Sequence, residues 1–170
     1  MGQDIVNGEA GDYYAGTVVF AQTVTANRTE DFEGWSAGVV PSYWSLISAG
    51  NGTVQAVSGD GPHGGAQHLR FSANGFGNWL TQSATMALNL TGMTGRTDVS
   101  LDFWAYGVSA NNSMSVYLSG DGQTWAQVWS AYPPTNYTEY VLDLDALCAA
   151  QGIALDADVY VRFSDYEGYS

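Results

Sequence analysis

Apolar and polar residues alternate along much of this chain with a period of two, the period of a β-strand that buries one face. The longest run sets Val99, Leu101, Phe103 and Ala105 against Ser100, Asp102, Trp104 and Tyr106. Met114, Val116 and Leu118 continue the pattern into Ser119-Gly120-Asp121-Gly122, where the Asp-Gly pair predicts a hairpin returning through Trp125, Val128 and Trp129. Shorter runs predict further strands at Val18 to Phe20 with Val24, at Thr53 to Val57, and at Leu69 and Phe71, which alternate with His68 and Arg70. The same holds for Ala84, Met86, Leu88 and Leu90, for Tyr140, Leu142 and Leu144, and for Val159, Val161 and Phe163. Only Asp145 to Gly152 reads as helix, with Asp145 placed to cap its start and Gly152 to end it.

Short strands separated by Gly, Asn and Asp turns, with one helical stub and no internal repeat, predict an all-β fold. The expected architecture is an antiparallel two-sheet sandwich, a jelly roll, with one short helix. Residues 1–28 read as a Gly-rich acidic linker followed by a leading strand, and residues 29–170 as the module itself.

Composition narrows the function. The chain has 170 residues and a formal charge of -13, from 17 acids set against four arginines and no lysine. Nucleic acid is excluded as a partner, because binding it requires a basic surface that releases counterions. No apolar run approaches the roughly 20 residues of a membrane-spanning helix, so insertion into a membrane is not expected. The lone cysteine, Cys148, has no partner for an internal disulfide and is expected to pack as a small apolar residue.

Candidate chemistry is sparse. With two histidines, His63 and His68, and no Gly-x-Ser-x-Gly elbow, neither a nucleophile nor a zinc site is indicated, and catalysis is not expected. Both histidines read as turn or surface residues. A pair of carboxylates for glycoside hydrolysis is not singled out among the acids. Calcium suits oxygen donors drawn from loops, and its candidate ligands are Asp31, Glu33 and Asp60, which otherwise read as solvated turn acids. Aromatics make up 14% of the chain, more than a core of this size can use with every polar tip satisfied. Strand parity turns Trp104 and Tyr106 outward, with Tyr117 on a neighbouring strand expected beside them. Such rings suit the apolar face of a sugar; the alternative is that a loop or a partner domain covers them.

The order of several segments carries a resemblance. Phe32-Glu33-Gly34-Trp35 and Ser42-Tyr43-Trp44 are followed by Gly52 to Val57 and by Gly61-Pro62-His63-Gly64-Gly65-Ala66-Gln67-His68-Leu69. Val99 to Trp104, Val116 to Trp125 with its Ser-Gly-Asp-Gly turn, and Val159 to Phe163 complete it. From about Thr29 to Ser170 the chain resembles the MAM-like or galactose-binding-like jelly-roll modules repeated in large secreted bacterial proteins, planctomycete ones especially. The resemblance implies an extracellular or cell-surface accessory module without catalysis. It would bind a glycan or another surface ligand beside neighbouring domains of the same chain, or serve as an adhesion unit or purely structural spacer. A glycoside hydrolase fragment ranks third. The resemblance also implies a structural calcium at the Phe-Glu start, carried onto Glu33, with Asp60 a weaker match. Such modules close with an acidic strand beside the N-terminal one, which is not found before Tyr169-Ser170, so the module is expected to lack its closing strand.

Overall fold

The period-two runs become strands whose apolar faces meet between two layers. The computed structural model describes residues 24–25, 29–35, 39–72, 81–108, 112–156 and 158–167. The strands are β1 (Val24–Thr25), β2 (Trp44–Ile47), β3 (Thr53–Val57), β4 (His68–Ser72) and β5 (Thr81–Asn89). They continue as β6 (Ser100–Ala105), β7 (Asn112–Ser119), β8 (Ala126–Ala131), β9 (Thr138–Asp143) and β10 (Val159–Glu167). The single α-helix, α1, spans Leu144–Ala150. The expected linker and the strand at Val18 to Phe20 lie outside the described residues.

The first layer is a six-stranded sheet ordered β1-β5-β10-β7-β8, with β2 also paired to β5. All its pairings are antiparallel except the short β1–β5 contact. The second layer is two antiparallel pairs, β3–β4 and β6–β9, with no ladder joining them among the described residues. The chain passes back and forth between layers, and the fold is an all-β sandwich with one short α-helix, as the alternation predicts. Among the described residues no helix is long and apolar enough to cross a membrane.

Parity explains the core. Val116, Leu118, Val159, Val161 and Ala84 have no exposed surface and come from alternate positions of β7, β10 and β5. From the other layer, Phe103 of β6 meets Phe163 edge-on at 5.3 Å and Trp129 at 5.3 Å. Trp44 of β2, opposite Met86, stacks on Phe163 at 6.5 Å. Gln82 is a fully buried polar residue, yet its amide is used: Ala49 N donates to Oε1 at 3.0 Å and Nε2 donates to Ala49 O at 3.2 Å. Gly52 passes against that amide, where any Cβ would collide with it.

Three local expectations change. Asp143, not Asp145, is the helix N-cap: its carboxylate accepts from Ala146 N at 3.0 Å. Asp145 instead accepts from Val99 N at 2.8 Å and ties the first helical turn to the start of β6. Leu144, expected at a strand end, opens the helix and is buried. The β7–β8 hairpin forms, but its turn is longer than two residues: Asp121 folds it by accepting from the amides of Gln123 at 2.8 Å and Thr124 at 2.7 Å. Gly152 does end the helix, with φ +67° just beyond the cap. Cys148 is fully buried, and desolvation, with Asp145 adding to it, pushes its thiol up to about 11, which disfavours the thiolate.

Candidate functional site

Strand β6 exposes Trp104. In the β6–β9 register, Leu101 faces Leu142 and Phe103 faces Tyr140, and both pairs point into the core; Trp104 faces Glu139 and Asp102 faces Val141 on the outer side. Trp104 keeps 45% of its surface exposed. Tyr106 leaves the same strand end, and its hydroxyl donates to the Asp60 carbonyl at 3.4 Å.

Around these two rings the gap between the β3–β4 and β6–β9 pairs is filled with further rings. His63, from the turn between β3 and β4, stacks on Trp104 with centroids 4.0 Å apart and planes 15° apart. Tyr137, one residue before β9, lies edge-on to His63 at 5.3 Å and against Tyr106 at 4.7 Å. His68 of β4 meets Tyr106 at 6.5 Å. The expectation that some aromatics stay exposed holds for Trp104, and the rival expectation of loop cover holds for one of its faces.

The polar tips of this cluster are not all used. Tyr137 Oη, both ring nitrogens of His68 and Nε of Arg70 are buried without a hydrogen-bond partner. Burial pushes the Tyr137 phenol up, with Tyr106 adding to the effect and the His63 backbone partly offsetting it. Burial likewise lowers His68, opposed by Asp60 and reinforced by Arg70, which favours the neutral imidazole. A neutral imidazole offers one donor and one acceptor. Arg70 pairs with Asp60, Nη1 to Oδ2, at 2.8 Å.

Tyr117 does not join this cluster. It lies on β7 between the fully buried Val116 and Leu118, so it faces out from the six-stranded sheet, on the opposite side of the sandwich from Trp104. Its hydroxyl donates to Gln127 Oε1 at 3.2 Å. Trp125 is half-buried rather than core, with the Arg162 guanidinium 3.6 Å over its ring. A cleft of ≈ 490 Å³ opens beside it, lined in part by Asp121, Ile153 and Asp156.

The three acids considered for calcium are not gathered into one donor set. Glu33 Oε1 accepts from the amides of Ala66 at 2.6 Å and Gln67 at 2.8 Å. Asp31 Oδ1 accepts from Glu33 N at 3.1 Å, and Asp60 faces Arg70. Calcium takes about six to eight oxygens. Among the described residues no three His, Cys, Asp or Glu side chains are grouped to hold a metal.

A fourth acid has a clear structural role. Glu30 accepts from Phe32 N and Trp35 Nε1 through Oε1, both at 3.2 Å. Through Oε2 it accepts from Tyr43 Oη at 2.9 Å and Trp44 Nε1 at 3.2 Å. One carboxylate thus lets two tryptophans, 5% and 7% exposed, enter the core with their N–H groups satisfied.

Comparison with family models, curated proteins and solved structures finds no match to this chain. The functional reading therefore rests on the residues of the cluster.

Sequence reasoning placed Trp104 and Tyr106 in the cluster and missed Tyr137. The missing signal is long-range: continuing the pairing of Ala105 with Thr138 by one step sets Tyr106 opposite Tyr137. The Gly-Pro turn of His63 carried no local sign that its tip reaches β6.

Proposed function

We propose that this chain is a non-catalytic carbohydrate-binding or adhesion module of a secreted multidomain protein, of the MAM-like or galactose-binding-like kind, acting outside the cell or at its surface. The observation that carries the reading is Trp104: a 45% exposed indole, next to Tyr106 and Tyr137, with unpartnered polar atoms of Tyr137, His68 and Arg70 in the same cluster. Sugars offer an apolar ring face for stacking and hydroxyls that both donate and accept. Aromatic rings and a few placed polar groups are what such a ligand requires.

A shallow outer face buries little of a hydrated sugar, so affinity in the micromolar to millimolar range follows, with avidity supplied by repetition along a parent chain. The rival reading is a structural spacer, and it draws on the contact of His63 with Trp104, which uses one ring face within the chain. A glycan array decides between them, followed by chromatography of any bound oligosaccharide after prolonged incubation. Binding with the oligosaccharide intact supports the module; no binding to any glycan supports the spacer; shortened products support an enzyme.

A further inference from the structure

The turn that carries His63 is clamped at both ends and spans a short tip. At its start, Asp60 pairs with Arg70 at 2.8 Å, and the Asp60 carbonyl accepts from Tyr106 Oη at 3.4 Å. At its end, Glu33 holds the amides of Ala66 and Gln67 at 2.6 and 2.8 Å. Between the clamps runs Gly61-Pro62-His63-Gly64-Gly65, and nothing lies within 4 Å of where a Cβ would stand on Gly61 or Gly64. The tip meets the rest of the protein through the His63 ring, stacked on Trp104 and edge-on to Tyr137, and through Gly65, where a Cβ would collide with the Glu33 carboxylate. Its backbone is also a weak hydrogen-bond partner of the buried Tyr137 phenol, whose oxygen makes no bond of full geometry.

We infer that residues 61–65 form a lid over the ligand face of Trp104, and that the ligand is an uncharged sugar unit which takes the place of His63 on that ring. The inference rests on the carbohydrate reading above and specifies how that site opens and what it accepts. Displacing His63 frees one indole face and releases Tyr137 Oη, which has no hydrogen bond of full geometry beyond its weak contact with the His63 backbone, with His68 and Arg70 Nε among the other unsatisfied groups. Sugar hydroxyls satisfy such groups in either sense. The charge of the ligand follows from the surroundings. Glu139 lies directly across from Trp104, Asp102 lies on the same outer face, and Asp143 lies opposite Ser100 further along it. Arg70, the cation of this cluster, is already paired. With a net charge of -13 behind them, these carboxylates repel uronates and sulfated sugars.

The test titrates the wild-type chain, His63→Ala, Tyr137→Phe and Trp104→Ala with neutral cello-, xylo-, manno- and galacto-oligosaccharides, and in parallel with oligogalacturonate and a sulfated oligosaccharide. Melting temperatures are taken for each variant. Removing the stacked imidazole should tighten binding of a neutral oligosaccharide by about two- to tenfold, the range of one aromatic contact. Tyr137→Phe should weaken it several-fold at unchanged melting temperature, and Trp104→Ala should abolish it. Neutral-sugar binding that is unchanged or weakened in His63→Ala overturns the lid while the carbohydrate reading stands. Preference for the acidic sugars overturns the ligand class. Absence of binding in every variant, His63→Ala included, removes the carbohydrate reading and the lid with it.

Discussion

The imidazole of His63 lies nearly parallel to the indole of Trp104, 4.0 Å from centroid to centroid. Residues 41 positions apart in the chain meet there because the β3–β4 turn reaches over the outer face of β6. The acids at the two ends of that turn explain its shape. Asp60 sits at φ +62°, a backbone state uncommon for a non-glycine residue, and its carboxylate is held by Arg70. Glu33, itself just after the left-handed Phe32, binds the amides at the far end. Acids that suggested a metal site thus shape a turn.

Glu30→Ala should cost about 3 kcal/mol or more, because it removes the acceptor shared by two buried indole N–H groups, a phenol and an amide. Glu30→Gln, which keeps an acceptor, should cost clearly less. Urea unfolding with near-ultraviolet circular dichroism reports both. Small costs for both variants would show that the hydrogen bonds to Glu30 contribute little, and equal large costs that both of its oxygens are needed as acceptors.

Trp125→Ala should cost only about 1 to 2 kcal/mol, the loss of a half-buried ring and its contact with Arg162. For a ring enclosed in the core the same substitution costs about 3 to 5 kcal/mol. Chemical denaturation separates the two. A loss in the upper range would mean that the ring is enclosed more fully than its contact with Arg162 implies.

Stability should fall in strong acid partly through Asp121. Hydrogen bonds from Thr124 N and Gln123 N, then Ser119 Oγ, lower its carboxyl from 3.8 to about 2. A depressed folded pKa stabilises above the unfolded value, so this contribution is complete above about pH 4 and is lost as pH falls through about 2. Asp121→Asn should flatten the acid limb of the unfolding curve in that window and leave its shape near neutrality unchanged. An unaltered acid limb would argue against the Asp121 turn.

Millimolar calcium, or its removal with a chelator, should leave the melting temperature of this chain unchanged, since Asp60 and Glu33 already serve Arg70 and two backbone amides. A rise of several degrees with calcium would reassign Asp31 and Glu33 as ligands.

Much of this was legible in the chain. The run Val99 to Tyr106 gave both the strand and the outward turn of Trp104, because side-chain direction in a strand follows from parity alone. The Asp-Gly hairpin and the glycine that ends the helix were equally local. What escaped depended on partners distant in sequence. Strand β2, with Trp44 buried and the following residues half-buried, has no alternation and exists through its register with β5. Tyr117 obeys parity as Trp104 does, yet parity cannot say which sheet a strand joins, and the two rings end on opposite sides of the sandwich. Leu144 completes the apolar period of β9, which hides Asp143 as the N-cap, because the helix begins at the residue directly after the strand ends.

Trp104 is proposed above as the platform of a glycan-binding face. Isothermal titration of an array-selected oligosaccharide into the wild-type chain and into Trp104→Ala, with melting temperatures matched, tests it most directly. The expected result is a dissociation constant in the micromolar to millimolar range for the wild type and a loss of about tenfold or more in the variant. Binding that survives Trp104→Ala unchanged would contradict it and move the site elsewhere, with the cleft beside Trp125 next in line.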